Sequence, residues 1–219
     1  MRPGRDELRE RVRVAIQRTR LGRPAKSVIM VGLRGVGKTV LLNQMFMEAE
    51  AADIRAIYIE AHENRSLPAI LAPQLRMPLL RLSRLEAGKD SAVRGLKALA
   101  GFAKGLKVKF GDIEQGIDYD LEPGLADNGD LESDLTTLLV EIGGAARNAK
   151  TALVIFIDEL QFVKEEELAA LITALHRVSQ LNKPWARTHS EVLDQRPLPM
   201  PAAWQGTKRS AVADVLEPS

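Results

Sequence analysis

The chain has 219 residues, of which 45% are hydrophobic and 27% charged, a balance typical of a globular protein with one large domain or one domain and a tail. It contains no cysteine, which excludes disulfides, thiolate catalysis and cysteine-based zinc sites. Its three histidines are scattered, which argues against a histidine-rich metal site. An apolar signal core and an apolar run of 18 residues are both missing from the sequence, so we expect a cytoplasmic protein that does not enter a membrane.

The first predicted element is a basic helix over residues 5–21, within an N-terminal segment 1–26. Leu8, Val12 and Ile16 recur on one stripe, and several arginines lie outside it. Gly22-Arg23-Pro24 predicts where the helix ends.

Residues 32–39 read Gly-Leu-Arg-Gly-Val-Gly-Lys-Thr, a complete G-x-x-x-x-G-K-[ST] phosphate-binding loop, the Walker A pattern. The apolar run 27–31 predicts a buried strand before the loop, and helical periodicity through Ala52 predicts a helix after it. This strand–loop–helix context is the one in which backbone N–H groups converge on a phosphate, while Lys38 adds a positive charge and Thr39 offers a hydroxyl to Mg²⁺. The predicted nucleotide-binding residues are Gly32, Leu33, Arg34, Gly35, Val36, Gly37, Lys38, Thr39 and Val40.

The middle of the chain alternates between strand and helix patterns. Residues 55–60 predict a second strand, and helical patterns follow at about 66–86 and 90–104, the first interrupted by two prolines. Leu106–Phe110 and Ile117–Leu121 alternate apolar and polar residues, which predicts a half-exposed hairpin. Residues 131–148 return to a helical pattern.

Charge is unevenly distributed although the net charge is only +2. Residues 76–109 hold nine lysines and arginines, and residues 112–134 hold nine acidic residues without a basic one. We interpret this mainly as a solvated basic face partly neutralised by the neighbouring acidic stretch. The alternative is a docking face for DNA or an acidic protein partner.

The second strong feature is the unbroken apolar run 152–157, which is typical of a central parallel strand and ends in Asp158-Glu159. Ligands of parallel α/β sheets lie at the carboxyl ends of the strands, so this end should face the same crevice as the end of strand 28–31. Asp158 would then hold the Mg²⁺ that Thr39 also contacts. Glu159 would orient the water that attacks the γ-phosphate, unless it only caps the following turn.

The sequence also indicates which nucleotide the loop binds. A GTPase would need Asn-Lys-x-Asp for guanine, and the nearest segment, Asn182-Lys183-Pro184-Trp185, lacks the aspartate. A small-molecule kinase would need an arginine-rich lid and an acceptor pocket, which we do not identify. The adjacent carboxylates favour ATP hydrolysis with Mg²⁺ as the cofactor.

Taken together, Gly32–Thr39, Tyr58-Ile59-Glu60 and Leu153–Glu159 resemble AAA+ ATPases, over roughly residues 5–182. The branch that the sequence resembles is that of bacterial and archaeal proteins related to origin-recognition and STAND-type ATPases. The resemblance implies an α/β P-loop fold with a parallel sheet flanked by helices, and it allows for a homo-oligomer in a full-length relative. In that branch the second strand often ends Tyr-x-Asn, and a polar residue at that place can hydrogen-bond the catalytic glutamate. Glu60 stands where the Asn is expected, so the resemblance implies that Glu60 or the nearby Asn64 restrains Glu159.

Members of this family continue after the Asp158 strand and a helix, predicted here at 165–181, with a further strand that carries a sensor residue, and then with an arginine finger. That strand lies between the phosphate-loop strand and the Asp158 strand. Residues 183–219 instead hold five prolines and no periodic apolar pattern, so we expect a core at 27–182 that is incomplete at its C-terminus and a mostly disordered tail. We expect the chain to be a truncated or frame-shifted ATPase.

The sequence therefore predicts an ATP-binding module whose hydrolysis is weak. The alternatives that stay open are a nucleotide-controlled regulatory or DNA-binding module without significant turnover, and a gene remnant without folded function.

Overall fold

The computed structural model of the protein describes residues 3–21, 25, 27–31, 37–110, 122–181 and 209–213. Its elements follow the order α1, β1, α2, β2, α3, α4, α5, β3, α6, β4, with short 3₁₀ turns at Glu86–Gly88 and Leu160–Phe162. The helices are α1 Pro3–Arg20, α2 Lys38–Ala51, α3 Leu67–Leu82, α4 Lys89–Phe110, α5 Leu131–Asn148 and α6 Glu165–Leu181. The strands are β1 Val28–Val31, β2 Arg55–Glu60, β3 Leu153–Asp158 and β4 Arg209–Ala213.

The strands form one four-stranded sheet in the order β1-β4-β3-β2. β2 and β3 pair in parallel, with Glu60 opposite Asp158 at the end of the ladder. β4 is antiparallel to both β1 and β3, so β1 and β3 run in the same direction. The expected α/β architecture is confirmed, but the sheet is mixed rather than wholly parallel.

Two apolar cores cover the two faces of the sheet. Leu153, Ile155 and Ile157 of β3 belong to the core shared with α3, α4, α5 and α6. The alternate residues Val154 and Phe156 belong to the core shared with α1 and α2. Because successive strand residues point to opposite faces, Asp158 has the parity of the face that α1 and α2 cover.

The N-terminal helix packs on the helix that follows the phosphate loop. Val12 and Ile16 of α1 are buried against Met45 and Ala49 of α2. Arg9 of α1 also forms an ion pair with Glu48 of α2. The segment predicted as a separate basic helix therefore shares a core with the rest of the described chain.

Helix α3 continues through Pro73 and Pro78, the two prolines that interrupt its sequence pattern. It begins at an N-cap in which the Ser66 side chain accepts a hydrogen bond from the Ala69 N–H. Its buried leucines, among them Leu75 and Leu79, hold it against the sheet, and most helical stability in proteins comes from such packing.

The strand predicted at Leu106–Phe110 is wrong, because these residues are the last turns of α4. Leu99, Phe102 and Leu106 are all buried in one core, and their spacing continues the helical stripe. A five-residue alternation of apolar and polar residues is too short to outweigh that burial. The partner predicted for the hairpin, Ile117–Leu121, lies outside the described residues.

The largest difference from expectation concerns the tail. Residues 209–213 of the segment predicted to be disordered form β4, which occupies the place between β1 and β3 where the sequence predicts a missing strand. Two central strands would otherwise leave ladder N–H and C=O groups unpaired, and an antiparallel segment satisfies them as well as a parallel one. Residues 182–208 and 214–219 lie outside the described residues.

Candidate functional site

The predicted site elements meet at one edge of the sheet. β1 and β3 run in the same direction, so Val31 and Asp158 end their strands on the same side. Helix α2 begins at Lys38, soon after β1 ends, and packs against β3. The strands before the phosphate-binding loop pattern and before Glu159 therefore end on the same side of the sheet.

Three residues of the phosphate-binding loop pattern are described. Gly37 has a φ of 80°, the left-handed conformation that favours glycine, and α2 begins directly after it. Lys38 and Thr39 are the first two helical residues, and Thr39 is exposed, as is Val40 at 67%. An exposed helix N-terminus offers N–H groups to an anion. The predicted contacts at Gly32, Leu33, Arg34, Gly35 and Val36 lie outside the described residues.

Arg5 of α1 reaches this same point. A Cβ placed on Gly37 would lie 2.9 Å from the Arg5 Nη2 atom. The Arg5 guanidinium therefore lies against the end of the loop. In the phosphate-binding loop pattern, the positive charge specified at this point is that of Lys38 alone. The packing of α1 on α2 and the Arg9–Glu48 ion pair fix the helix that carries it.

We expect Gly37→Ala to lower the free energy of unfolding by about 1–2 kcal/mol, because an L-residue is strained in the left-handed region and its Cβ would displace Arg5. Gly144→Ala is the matched control. Gly144 lies inside α5, and a Cβ added there would meet open space, so alanine should stabilise the protein by about 0.5–1 kcal/mol. Urea unfolding of both variants measures the difference, and equal effects would contradict the strained geometry at Gly37.

Asp158 is buried, with 3% of its surface exposed, and both of its carboxylate oxygens have protein donors. The Tyr58 hydroxyl donates to Oδ2 at 2.9 Å, and the Glu159 backbone N–H donates to Oδ1 at 2.9 Å. The Asp158 carbonyl accepts from the Ala61 N–H at 3.1 Å, which continues the β2–β3 ladder past the strand ends. These contacts hold both carboxylate oxygens at the end of β3.

The burial of Tyr58 and its hydrogen bond to the Asp158 carboxylate both stabilise the protonated phenol. Burial and the hydrogen bond to Asp158, followed by the negative charges of Asp158, Glu60 and Glu159, raise the pKa of the Tyr58 phenol well above its usual value. The phenol therefore keeps its proton throughout the neutral range and acts as a hydrogen-bond donor to Asp158.

Glu159 has a φ of 53°, a left-handed conformation that is uncommon for a residue with a side chain. Such strain persists only where the surroundings enforce it, and it is concentrated at functional sites. The Gln161 side-chain amide donates to the Glu159 carboxylate across the short 3₁₀ turn. The strand ends at Asp158, and the left-handed Glu159 begins the short 3₁₀ turn that follows.

The residues predicted to restrain Glu159 are Glu60 and Asn64, and both are exposed. Glu60 is paired with Asp158 at the end of the β2–β3 ladder, and Asp158 directly precedes Glu159 in the sequence. Gln161 is one side-chain partner of Glu159. The restraining role of Glu60 or Asn64 stays a prediction.

Part of the basic region 76–109 is paired within the protein. Arg94 forms an ion pair with Glu141 at 3.0 Å, and Lys97 with Glu122 at 3.7 Å. Glu122 belongs to the acidic stretch that was expected to neutralise this face. Arg81 and Arg84 are exposed. The partial neutralisation agrees with the interpretation of a solvated surface.

A comparison with family models identifies the protein's family. The model described as an AAA ATPase domain matches residues 2–186, which is most of the chain. The chain belongs to the AAA ATPase domain family. The matched range begins before α1 and extends past α6, so α1 with Arg5 lies within the AAA ATPase domain. Searches of curated proteins and of solved structures returned no match.

Two further findings bear on this AAA ATPase domain. In the described part of the chain, none of the helices is both long enough and apolar enough to cross a membrane. The described residues also hold no cluster of three or more histidine, cysteine, aspartate or glutamate side chains that could enclose a metal ion.

Sequence reasoning missed Arg5, Tyr58 and Gln161. Arg5 is one of many arginines on a basic helix, and no local pattern distinguishes it. The sequence indicates Tyr58 only as part of the end of a predicted strand. Alternation of side chains along β2 and β3 would have predicted that Tyr58 lies on the same face of the sheet as Asp158. Gln161 follows Glu159 by two residues, but the left-handed turn that makes their contact is not a sequence motif.

Proposed function

We propose that this AAA ATPase domain binds ATP with Mg²⁺ and hydrolyses it slowly. The observation that supports the proposal is that β1, which precedes α2, and β3, which ends in the buried Asp158, run in the same direction, while α2 packs on β3. Lys38 and the N–H groups at the start of α2 bind the phosphates, and Arg5 supplies a second positive charge beside Gly37. Thermal unfolding with and without Mg·ATP tests the binding.

The residues present fit Mg²⁺. Mg²⁺ on nucleotides is bound by one or two protein oxygens together with phosphates and water, rather than by a cage of protein ligands. Asp158 supplies a carboxylate at the end of β3, and Thr39 supplies an exposed hydroxyl at the start of α2. When bound, Mg²⁺ neutralises charge on the β- and γ-phosphates.

Glu159 is the residue that we assign to the attacking water. Its carboxylate accepts a hydrogen bond from the water and then its proton, as the water oxygen bonds to the γ-phosphorus and the bond to the bridging oxygen breaks, releasing ADP and phosphate. An arginine finger usually contributes about 10³–10⁵ in rate, and no recognisable motif supplies one in this sequence, so slow turnover is expected.

Glu159→Gln should retain nucleotide binding and lower turnover about 10²–10⁴-fold, because glutamine keeps the size of the side chain but accepts no proton. Phosphate release from radiolabelled ATP over long incubation measures the turnover. Glu166→Gln, an exposed position on α6, is the matched control and should leave both properties unchanged. Equal turnover in the wild type and Glu159→Gln would exclude Glu159 as the base.

A further inference from the structure

Tyr58 joins the two parallel strands on the face covered by α2. Its hydroxyl donates to Asp158 Oδ2 at 2.9 Å, while its backbone is paired with Phe156, two residues before Asp158. The contact is therefore a diagonal one across the ladder, which a long aromatic side chain can span.

The ring of Tyr58 is held in place by an aromatic cluster. Phe46 packs edge-on against Tyr58, with ring centroids 5.9 Å apart and an interplanar angle of 72°. Phe46 also packs edge-on against Phe156, at 5.9 Å and 89°. Phe46 lies on α2, the helix that begins with Lys38-Thr39, so this cluster connects the phosphate-binding helix with the strand that ends in Asp158.

The hydrogen bonds fix the direction of the Asp158 carboxylate. Oδ2 is held by Tyr58 and Oδ1 by the Glu159 N–H, so rotation about the last side-chain bond would break both. The side chain is buried, and replacement donors from solvent are scarce there. The carboxylate is consequently presented in one orientation.

We propose that Tyr58 is a positioning residue that orients Asp158 for Mg²⁺. The proposal rests on the proposed function, because it concerns the metal that accompanies the nucleotide. Hydrogen-bond partners of metal-binding side chains fix ligand orientation, and their loss typically costs about 10–100-fold in metal affinity or activity. Tyr58 contacts neither phosphate nor water in this role, so the binding of metal-free nucleotide does not depend on it.

Tyr58→Phe tests the proposal, because it removes the hydroxyl and keeps the ring that packs on Phe46. The measurement is nucleotide-induced thermal stabilisation at fixed ATP as Mg²⁺ is titrated, with a parallel series in EDTA. We expect the Mg²⁺ concentration at half-effect to rise about tenfold, with unchanged stabilisation by ATP in EDTA. Ser179→Ala, which also removes one hydroxyl but near the end of α6, where that hydroxyl donates to the His176 carbonyl of the same helix, is the control and should match the wild type.

The outcomes separate this proposal from the proposed function. No stabilisation of the wild type by ATP at any Mg²⁺ concentration would overturn the proposed function itself. Normal wild-type behaviour with an unchanged Mg²⁺ half-effect in Tyr58→Phe would overturn only the positioning role. Equal weakening in Mg²⁺ and in EDTA, or loss of cooperative unfolding in the nucleotide-free variant, would show a structural role and would also overturn it.

Discussion

Replacing Lys38 by alanine should abolish the stabilisation that Mg·ATP gives to the wild-type protein. Lys38 is the first residue of α2 and adds the side-chain charge to the backbone N–H groups of the phosphate site. A ligand at about 100 times its Kd stabilises the folded state by about 2.7 kcal/mol. For a domain of this size that corresponds to a rise in Tm of about 5–10 °C, which the variant should lack.

Lys89→Ala is the matched control for this prediction. Lys89 is also the first residue of a helix, α4, and is exposed, so its replacement removes the same charge from an equivalent helical position elsewhere. Thermal unfolding of the wild type and both variants, each with and without Mg·ATP, makes the comparison. If Lys38→Ala keeps the nucleotide-dependent shift, the phosphate site is not where the sequence places it.

Removing residues 209–219 should destabilise the protein by at least about 3 kcal/mol. This truncation deletes β4, which pairs with β1 over four residues and with β3 over three. Each hydrogen bond of the ladder contributes about 1 kcal/mol net to the free energy of unfolding, and a buried group left without a partner costs more than that. The truncation therefore causes a large loss of stability. The Tm should fall by about 6–12 °C, as measured by circular dichroism or calorimetry.

The control is a truncation after Ala213, which removes residues 214–219 and leaves β4 intact. We expect it to unfold like the full chain. If both truncations unfold at the same temperature as the full chain, the segment 209–213 does not complete the sheet, and the expectation of a disordered tail would stand.

Local sequence patterns predicted a large part of this fold. The strands at 28–31, 55–60 and 153–158 were predicted to within a residue, because short apolar runs bounded by turns carry their own signal. Helices α2, α5 and α6 were predicted from periodic apolar faces that the structure buries. The phosphate-binding loop pattern and Asp158-Glu159 predict a candidate site because their chemistry depends on residues that are adjacent in the sequence.

The errors arise where a segment's structure depends on distant partners. Leu106–Phe110 alternates as a strand would, but the burial of Leu106 beside Phe102 makes it helical. Arg209–Ala213 has no strong strand pattern, yet it pairs with two strands far away in the sequence. In both cases the free energy of burial or ladder pairing exceeds the local preference, and neither can be computed from a window of neighbouring residues.

The sequence by itself predicted the chemistry that we propose for this AAA ATPase domain: a phosphate-binding loop pattern, an aspartate proposed to hold Mg²⁺ and an adjacent glutamate, each specified by residue type and spacing. The tertiary structure decided which side chains support them. Arg5 lies beside Gly37 only because α1 packs on α2, and Tyr58 reaches Asp158 only because β2 and β3 pair in one register. Contacts between residues about thirty and one hundred positions apart are set by packing and strand register, which no local pattern encodes.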